Sequence, residues 1–129
     1  MNDNQSMPGS ESEALLRTVA GWGNTTSVIV HGGCVFEFKG PFPPGTVAEG
    51  YYNLEGGSPG FHGHLNLARI ERVVFQTRPH RGRESYAFVF LDNKGDVIFK
   101  IFLGRDDSGE LVPSQVDAFQ RIRQHCTVQ

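Results

Sequence analysis

The chain has 129 residues, the size of one domain. Its formal net charge of −2 is not that of a counterion-driven nucleic-acid binder, which carries a strong basic excess. No apolar run approaches the roughly 18–20 residues a bilayer-spanning helix needs. The opening "MNDNQSMPGSESE" lacks the apolar centre of a signal peptide, so the sequence reads as cytoplasmic. Ten Phe, three Tyr and one Trp point to an aromatic-rich core or pocket.

In chain order, residues 1–9 are short, polar and interrupted by Pro and Gly, and read as a disordered tail; residues 10–129 read as one domain. Ser10 and Glu13 form a capping-box pattern, and Leu15, Leu16, Val19 and Trp22 share one face of the helix that follows. "TSVIVH" and "CVFEFK" are β-rich, and Gly32-Gly33 between them signals a hairpin. "GPFPPG" (40–45) reads as a loop, because proline gives no ladder donor. A short strand fits Tyr51 to Leu54, and "GGSPG" (56–60) is a turn. In "FHGHLNLARIERVVF" a strand fits the start, a break fits Asn66 to Arg69, and a second strand fits Ile70 to Gln76. "TRPHRGRES" (77–85) reads as a basic loop.

"YAFVFL" and "DVIFKIFL" are strands around the turn "DNKG", and both are apolar on both faces, as befits central strands. "GRDDSGELVP" is a loop, with too few correctly spaced ligands for an EF-hand. Ser114 and Asp117 resemble a helix cap, and Val116, Phe119 and Cys126 mark one face of a C-terminal helix. Short connections favour antiparallel pairing. The expected class is α+β: a twisted, mostly antiparallel sheet of about seven strands flanked by an N-terminal and a C-terminal helix. Cys34 and Cys126 sit in no CxxC or CxxCH pattern and read as two buried small hydrophobes.

Few residues carry chemistry. If "FHGHL" is extended, His62 and His64 share a face. Two such imidazoles could contribute to a metal-ion site, given further ligands. One imidazole suffices as an axial ligand to haem iron. The pair cannot supply both axial ligands: Cβ atoms roughly 7 Å apart on one face cannot approach a porphyrin from opposite sides. Arg78, His80, Arg81 and Arg83 could clamp a carboxylate, and Lys100, between Phe99 and Ile101, either snorkels to solvent or reaches the same anion. P-loop, GxGxxG, HExxH and GxSxG patterns are all missing.

"WGNTTSVIVH", "FEFKGPFPPG", "GYYNL", "GFHGHL", "SYAFVF", "FKIFLGRDDSGEL" and "QVDAF" together resemble, in order and spacing, the HutX/ChuX family of cytosolic haem-utilisation carriers. The resemblance implies a haem-binding bacterial protein, usually a homodimer, with the fold of one half of the larger HemS-type proteins. Such a protein receives non-covalent haem b after import and passes it to a haem-degrading enzyme without degrading it. It implies His64, in the "GH" after "GYYNL", as the axial ligand, and assigns no role to His62. A second histidine is expected on the strand after "WGN". His31 is nearest but falls one place late, which reverses the face of a strand unless a bulge absorbs the shift. Lys100, Arg81 and Arg83 are the expected propionate contacts, with Phe61 and Phe102 as lining residues. The competing readings are a haem-degrading or porphyrin-reducing enzyme and a non-haem metal site at His62/His64.

Overall fold

A computed structural model describes residues 5–57 and 59–126, the His80 side chain excepted. Among these residues nine strands form two antiparallel sheets, with two helices. The strands are β1 (Ser6–Pro8), β2 (Asn24–His31), β3 (Cys34–Pro41), β4 (Gly45–Ala48), β5 (Tyr51–Leu54), β6 (Gly63–Leu65), β7 (Arg72–His80), β8 (Arg83–Leu91) and β9 (Val97–Leu103). Helix α1 is Ser12–Val19 and helix α2 is Pro113–Gln124. The large sheet has the order β1-β7-β8-β9-β2-β3, and the small one β4-β5-β6. The class is α+β, as the alternation of short turns and strands implies.

Register divides the large sheet into two faces. The rungs Phe88↔Ile101 and Phe90↔Phe99 lie on one, and Val89↔Lys100 and Ala87↔Phe102 on the other. On the first face Phe119 of α2 meets Phe75, Phe88 and Tyr86, with ring centroids 4.9–5.5 Å apart. Leu15, Leu16 and Val19 of α1, and Tyr52 and Leu54 of the small sheet, join the same core. This is the helix face. On the second face Val74, Ala87, Val89 and Leu91 cluster with Phe102, all from β7, β8 and β9. The two-sided apolar pattern of β8 and β9 thus reflects central strands with a layered core on one side only.

Close backbone approaches lock the elements together. A Cβ on Gly9 would lie 1.7 Å from the Ile70 carbonyl oxygen, so only glycine lets the chain bend there. The Gly9 N–H donates to the Glu71 carbonyl at 2.9 Å, and Gln5 Nε2 donates to the Arg123 carbonyl at 3.2 Å. The side chain of Gln115, 2% exposed, ties α2 to the sheet. It accepts from the Gly104 N–H at 2.8 Å and donates to the Trp22 and Asn24 carbonyls at 3.0 and 2.9 Å.

Several expectations need correction. The expected tail ends before Ser6, since Ser6–Pro8 pairs with β7; residues 1–4 lie outside the described residues. Three residues are too few for a periodic pattern, so pairing with an existing edge decides. Within the expected loop 40–45, β3 runs to Pro41 and β4 starts at Gly45, against whose bare Cα the Tyr52 ring packs. The basic stretch 77–85 is strand except at Arg81-Gly82, both at positive φ. Its charges lie on the outlying end of a long hairpin, where strands need no apolar face. Cys34 is exposed beside the β2–β3 turn and Cys126 half-buried; both are free thiols. Helix α2 starts on Pro113 rather than on a Ser114 cap, and α1 has no capping side chain.

Candidate functional site

The small sheet lies on the helix face, with Tyr52 and Leu54 turned into the core. Alternation therefore turns Tyr51, Asn53 and their neighbours outward. His64 pairs with Asn53 across β5 and β6, while Leu65 packs against the core. The imidazole is exposed on the outer face of β6, an edge strand.

Two cavities meet at this ring. The larger, about 610 Å³, includes Ala48, Glu49, Asn53, Glu55, Phe61 and His62 in its walls. The smaller, about 290 Å³, lies between β6 and the β8–β9 turn, among Leu65, Arg69, Asp92, Ile98 and Phe99. His64 lines both. Together they fall in the range of about 300–1,000 Å³ usual for sites that bind organic ligands. The Phe61 ring is held by Phe38 and Phe42, at 4.4 and 5.7 Å. Tyr51 stands edge-on to His64, centroids 6.1 Å apart. His64 Nδ1 is 2.6 Å from Asn53 Oδ1.

The floor of the smaller cavity is fixed by the β8–β9 turn. Asp92 accepts from the Lys94 and Asp96 N–H groups at 2.8 and 3.0 Å. These bonds hold its carboxyl below the usual aspartate range.

The expected residues do not all converge. His62 precedes β6 rather than lying within it, yet it lines the larger cavity with His64. Among the described residues no group of three His, Cys, Asp or Glu side chains could hold a metal ion, so the pair lacks the further ligands a metal-ion site requires. His31 is exposed at the end of β2. The β2–β3 ladder runs unbroken from Asn24↔Pro41 to His31↔Cys34, so no bulge absorbs the one-place shift.

Phe99 faces the His64 cleft, which turns Lys100 to the second face. There it bonds Gln76 at 3.4 Å and sits over the Phe102 ring at 5.9 Å. Lys100, Arg81 and Phe102 line a separate groove of about 640 Å³ with Val28, Lys39 and Arg105. Arg83 pairs with Glu110 at 3.0 Å. Within one chain, therefore, Lys100, Arg81 and Phe102 stand across the sheet from His64, and Arg83 is engaged by the 104–111 loop. Each had been placed by its sequence neighbourhood, but strand parity decides the face. Arg69 and Tyr51 flank His64 and were not singled out from sequence: Arg69 belongs to a short 3-10 turn, where no periodicity indicates direction.

The haem-utilisation ChuX/HutX family matches residues 5–122. The intracellular heme transport protein HutX of Vibrio cholerae serotype O1 is 44% identical over 116 residues, covering 90% of this chain. The chain spans 60% of that relative's length. A crystal structure of a protein from Erwinia carotovora has 33% identity and a TM-score of 0.88, over 97% of this chain and 76% of that one. A structure of the heme-binding protein ChuX has 31% identity and a TM-score of 0.84, over 92% of this chain and 74% of that one. No helix among the described residues is long and apolar enough to cross a membrane. By the near-complete family match and the identity to HutX, the chain belongs to the ChuX/HutX haem-utilisation family.

Proposed function

We propose that this chain binds haem b non-covalently, with His64 as an axial ligand, and carries it through the cytoplasm to a haem-degrading enzyme without turning it over. One observation carries the reading: an exposed imidazole stands where two cavities meet, with Phe61, Phe99 and Tyr51 around it. Haem is an apolar disc with two carboxylates on one edge. Aromatic walls cover the disc, and a single neutral imidazole is sufficient to hold the iron.

The cavity charges orient the ligand. Glu49 and Glu55 lie in the larger cavity and repel propionates; the smaller one holds Arg69 and a single carboxylate, Asp92, which the Asp96 and Lys94 N–H groups engage. The propionate edge therefore points toward Arg69, which can present paired donors to a carboxylate. This assignment replaces Lys100 and Arg81, which face the other way.

The carrier reading, rather than an enzyme, is supported by similarity to a relative named as an intracellular transport protein. The chain acts as a homodimer in this account. The hairpin end of the second face supports it: Val30 and Val35, paired across β2 and β3, are 57% and 58% exposed. Exposed apolar side chains grouped in this way are commonly covered by a partner.

The test is hemin titration of the purified chain followed by addition of reductant and oxygen with catalase present. A saturable Soret shift that survives the reductant supports a carrier. Stoichiometric loss of the band with biliverdin-like absorption supports a haem-degrading enzyme instead.

A further inference from the structure

Asn53 is tied to His64 in a way that decides which imidazole nitrogen is free. Its amide nitrogen lies 3.2 Å from the Thr46 carbonyl, 3.2 Å from that of Ala48 and 3.3 Å from that of Tyr51. Carbonyl oxygens only accept hydrogen bonds, so the amide end among them must be the NH₂ group. The reverse orientation would set one carbonyl oxygen against three others. The other end, Oδ1, therefore faces His64, and it too only accepts. At 2.6 Å from Oδ1, Nδ1 of His64 must be the donor.

The consequence concerns iron. An imidazole coordinates through a nitrogen lone pair. In water a neutral ring exchanges its proton between both nitrogens, and only the form protonated on Nδ1 leaves Nε2 free. We propose that Asn53 is the positioning residue for His64: it holds the proton on Nδ1 and presents the Nε2 lone pair to incoming haem. If the ring arrives protonated on both nitrogens, Nε2 releases its proton to solvent and donates the freed pair to iron, while Nδ1–H stays with Asn53. A donor bond from Nδ1 also makes a ring a stronger electron donor to a metal, as outer partners of metal-bound histidines generally do. Tyr51 stands edge-on to the ring at 6.1 Å.

The same amide bridges the β4–β5 hairpin. Thr46 and Ala48 lie on β4, and the turn between the strands is Glu49-Gly50, both at positive φ. One side chain thus sets both the hairpin and the ligand's tautomer. No charged group is needed, so a release step is not opposed by a fixed negative charge behind the ring.

The proposal rests on His64 being the iron ligand, and its test separates the two. In the haem-free ¹⁵N-labelled chain, long-range ¹H–¹⁵N correlations read the tautomer of the His64 ring, assigned by its loss in His64→Ala. The wild type is expected to carry its proton on Nδ1. Asn53→Leu is expected to mix the tautomers, to weaken hemin binding by ~10-fold or more and to lower the ferrous iron–histidine stretching frequency. Asn53→Asp keeps an acceptor oxygen opposite Nδ1 but turns its other oxygen toward three carbonyls; it is expected to fold less stably, yet in the folded chain to hold the tautomer and raise that frequency. A wild-type ring protonated on Nε2, or an unchanged frequency and tautomer in Asn53→Leu, overturns the positioning role. Hemin binding by His64→Ala equal to wild type overturns it too, by removing the ligand it serves, and the tautomer spectrum tells that failure from the first. The wild-type spectrum needs no variant, so a poorly folding Asn53→Leu chain leaves the test in force.

Discussion

Replacing Gln115 with leucine should destabilise the fold without touching the proposed haem site. Leucine fills nearly the same volume but cannot bond. It leaves the buried Gly104 N–H, 2.8 Å from Oε1, without that acceptor, and takes one donor from each of the Trp22 and Asn24 carbonyls. A buried donor left unmade costs about 1–3 kcal/mol, and each part-buried carbonyl about 0.5–1 kcal/mol because water can partly replace the amide. The sum is about 2–5 kcal/mol, which lowers the Tm by roughly 10–20 °C in a domain of this size. Urea denaturation should give a lower midpoint at unchanged slope. Gln115→Glu should fare no better, since it keeps the acceptor for Gly104 but turns oxygen toward two carbonyls. Gln115→Leu within about 0.5 kcal/mol of wild type, the range of an ordinary surface change, would refute the claim that this side chain latches α2 to the sheet.

Gly9→Ala should cost about 1–3 kcal/mol, because the new Cβ must displace the Ile70 carbonyl; faster amide exchange at Phe75, whose N–H donates to the Gln5 carbonyl, and at the substituted residue itself would accompany it, and native exchange there would contradict the docking of β1. Truncating Phe119 to alanine removes the ring that touches Phe75, Tyr86 and Phe88, and chemical denaturation should show a loss of about 3–5 kcal/mol; under 2 would mean the cavity collapses readily. The depressed carboxyl of Asp92 gives the β8–β9 turn stability that is full above the ordinary value of 3.8 and is lost as pH falls through the lower folded value. The Lys94 and Asp96 amide resonances should accordingly titrate below 3.8; titration at or above it contradicts the turn geometry. Val35→Glu, at an exposed position, should shift the sedimenting species from dimer to monomer; a wild type that sediments as a monomer at every concentration removes the proposed dimer face.

The parts of the fold legible in sequence were those with strong periodicity or strong turn chemistry. Gly32-Gly33 and "DNKG" marked hairpins because few residues accept their dihedrals, and β8 and β9 announced a central position by being apolar on both faces. Missed elements share one cause. β1 and β4 are three and four residues long and exist because an edge was ready to pair with them, which is a tertiary fact. His64 was legible through the motif around it. Its surroundings were not: Arg69 follows closely in a 3-10 turn whose direction no periodicity shows, Phe99 approaches from a strand distant in sequence, and Lys100 is turned away by one step of alternation from Phe99. Asn53 could have been noticed within "GYYNL", but its role depends on register with β6 and on three carbonyls from β4 and β5, none of which a spacing encodes.

Hemin titration of the wild type alongside His64→Ala bears most directly on the central claim. The wild type should give a saturable Soret shift at one haem per chain, and the variant should bind more weakly with an altered band position. An identical curve and spectrum in the two proteins would mean that the ring between the two cavities does not hold the iron.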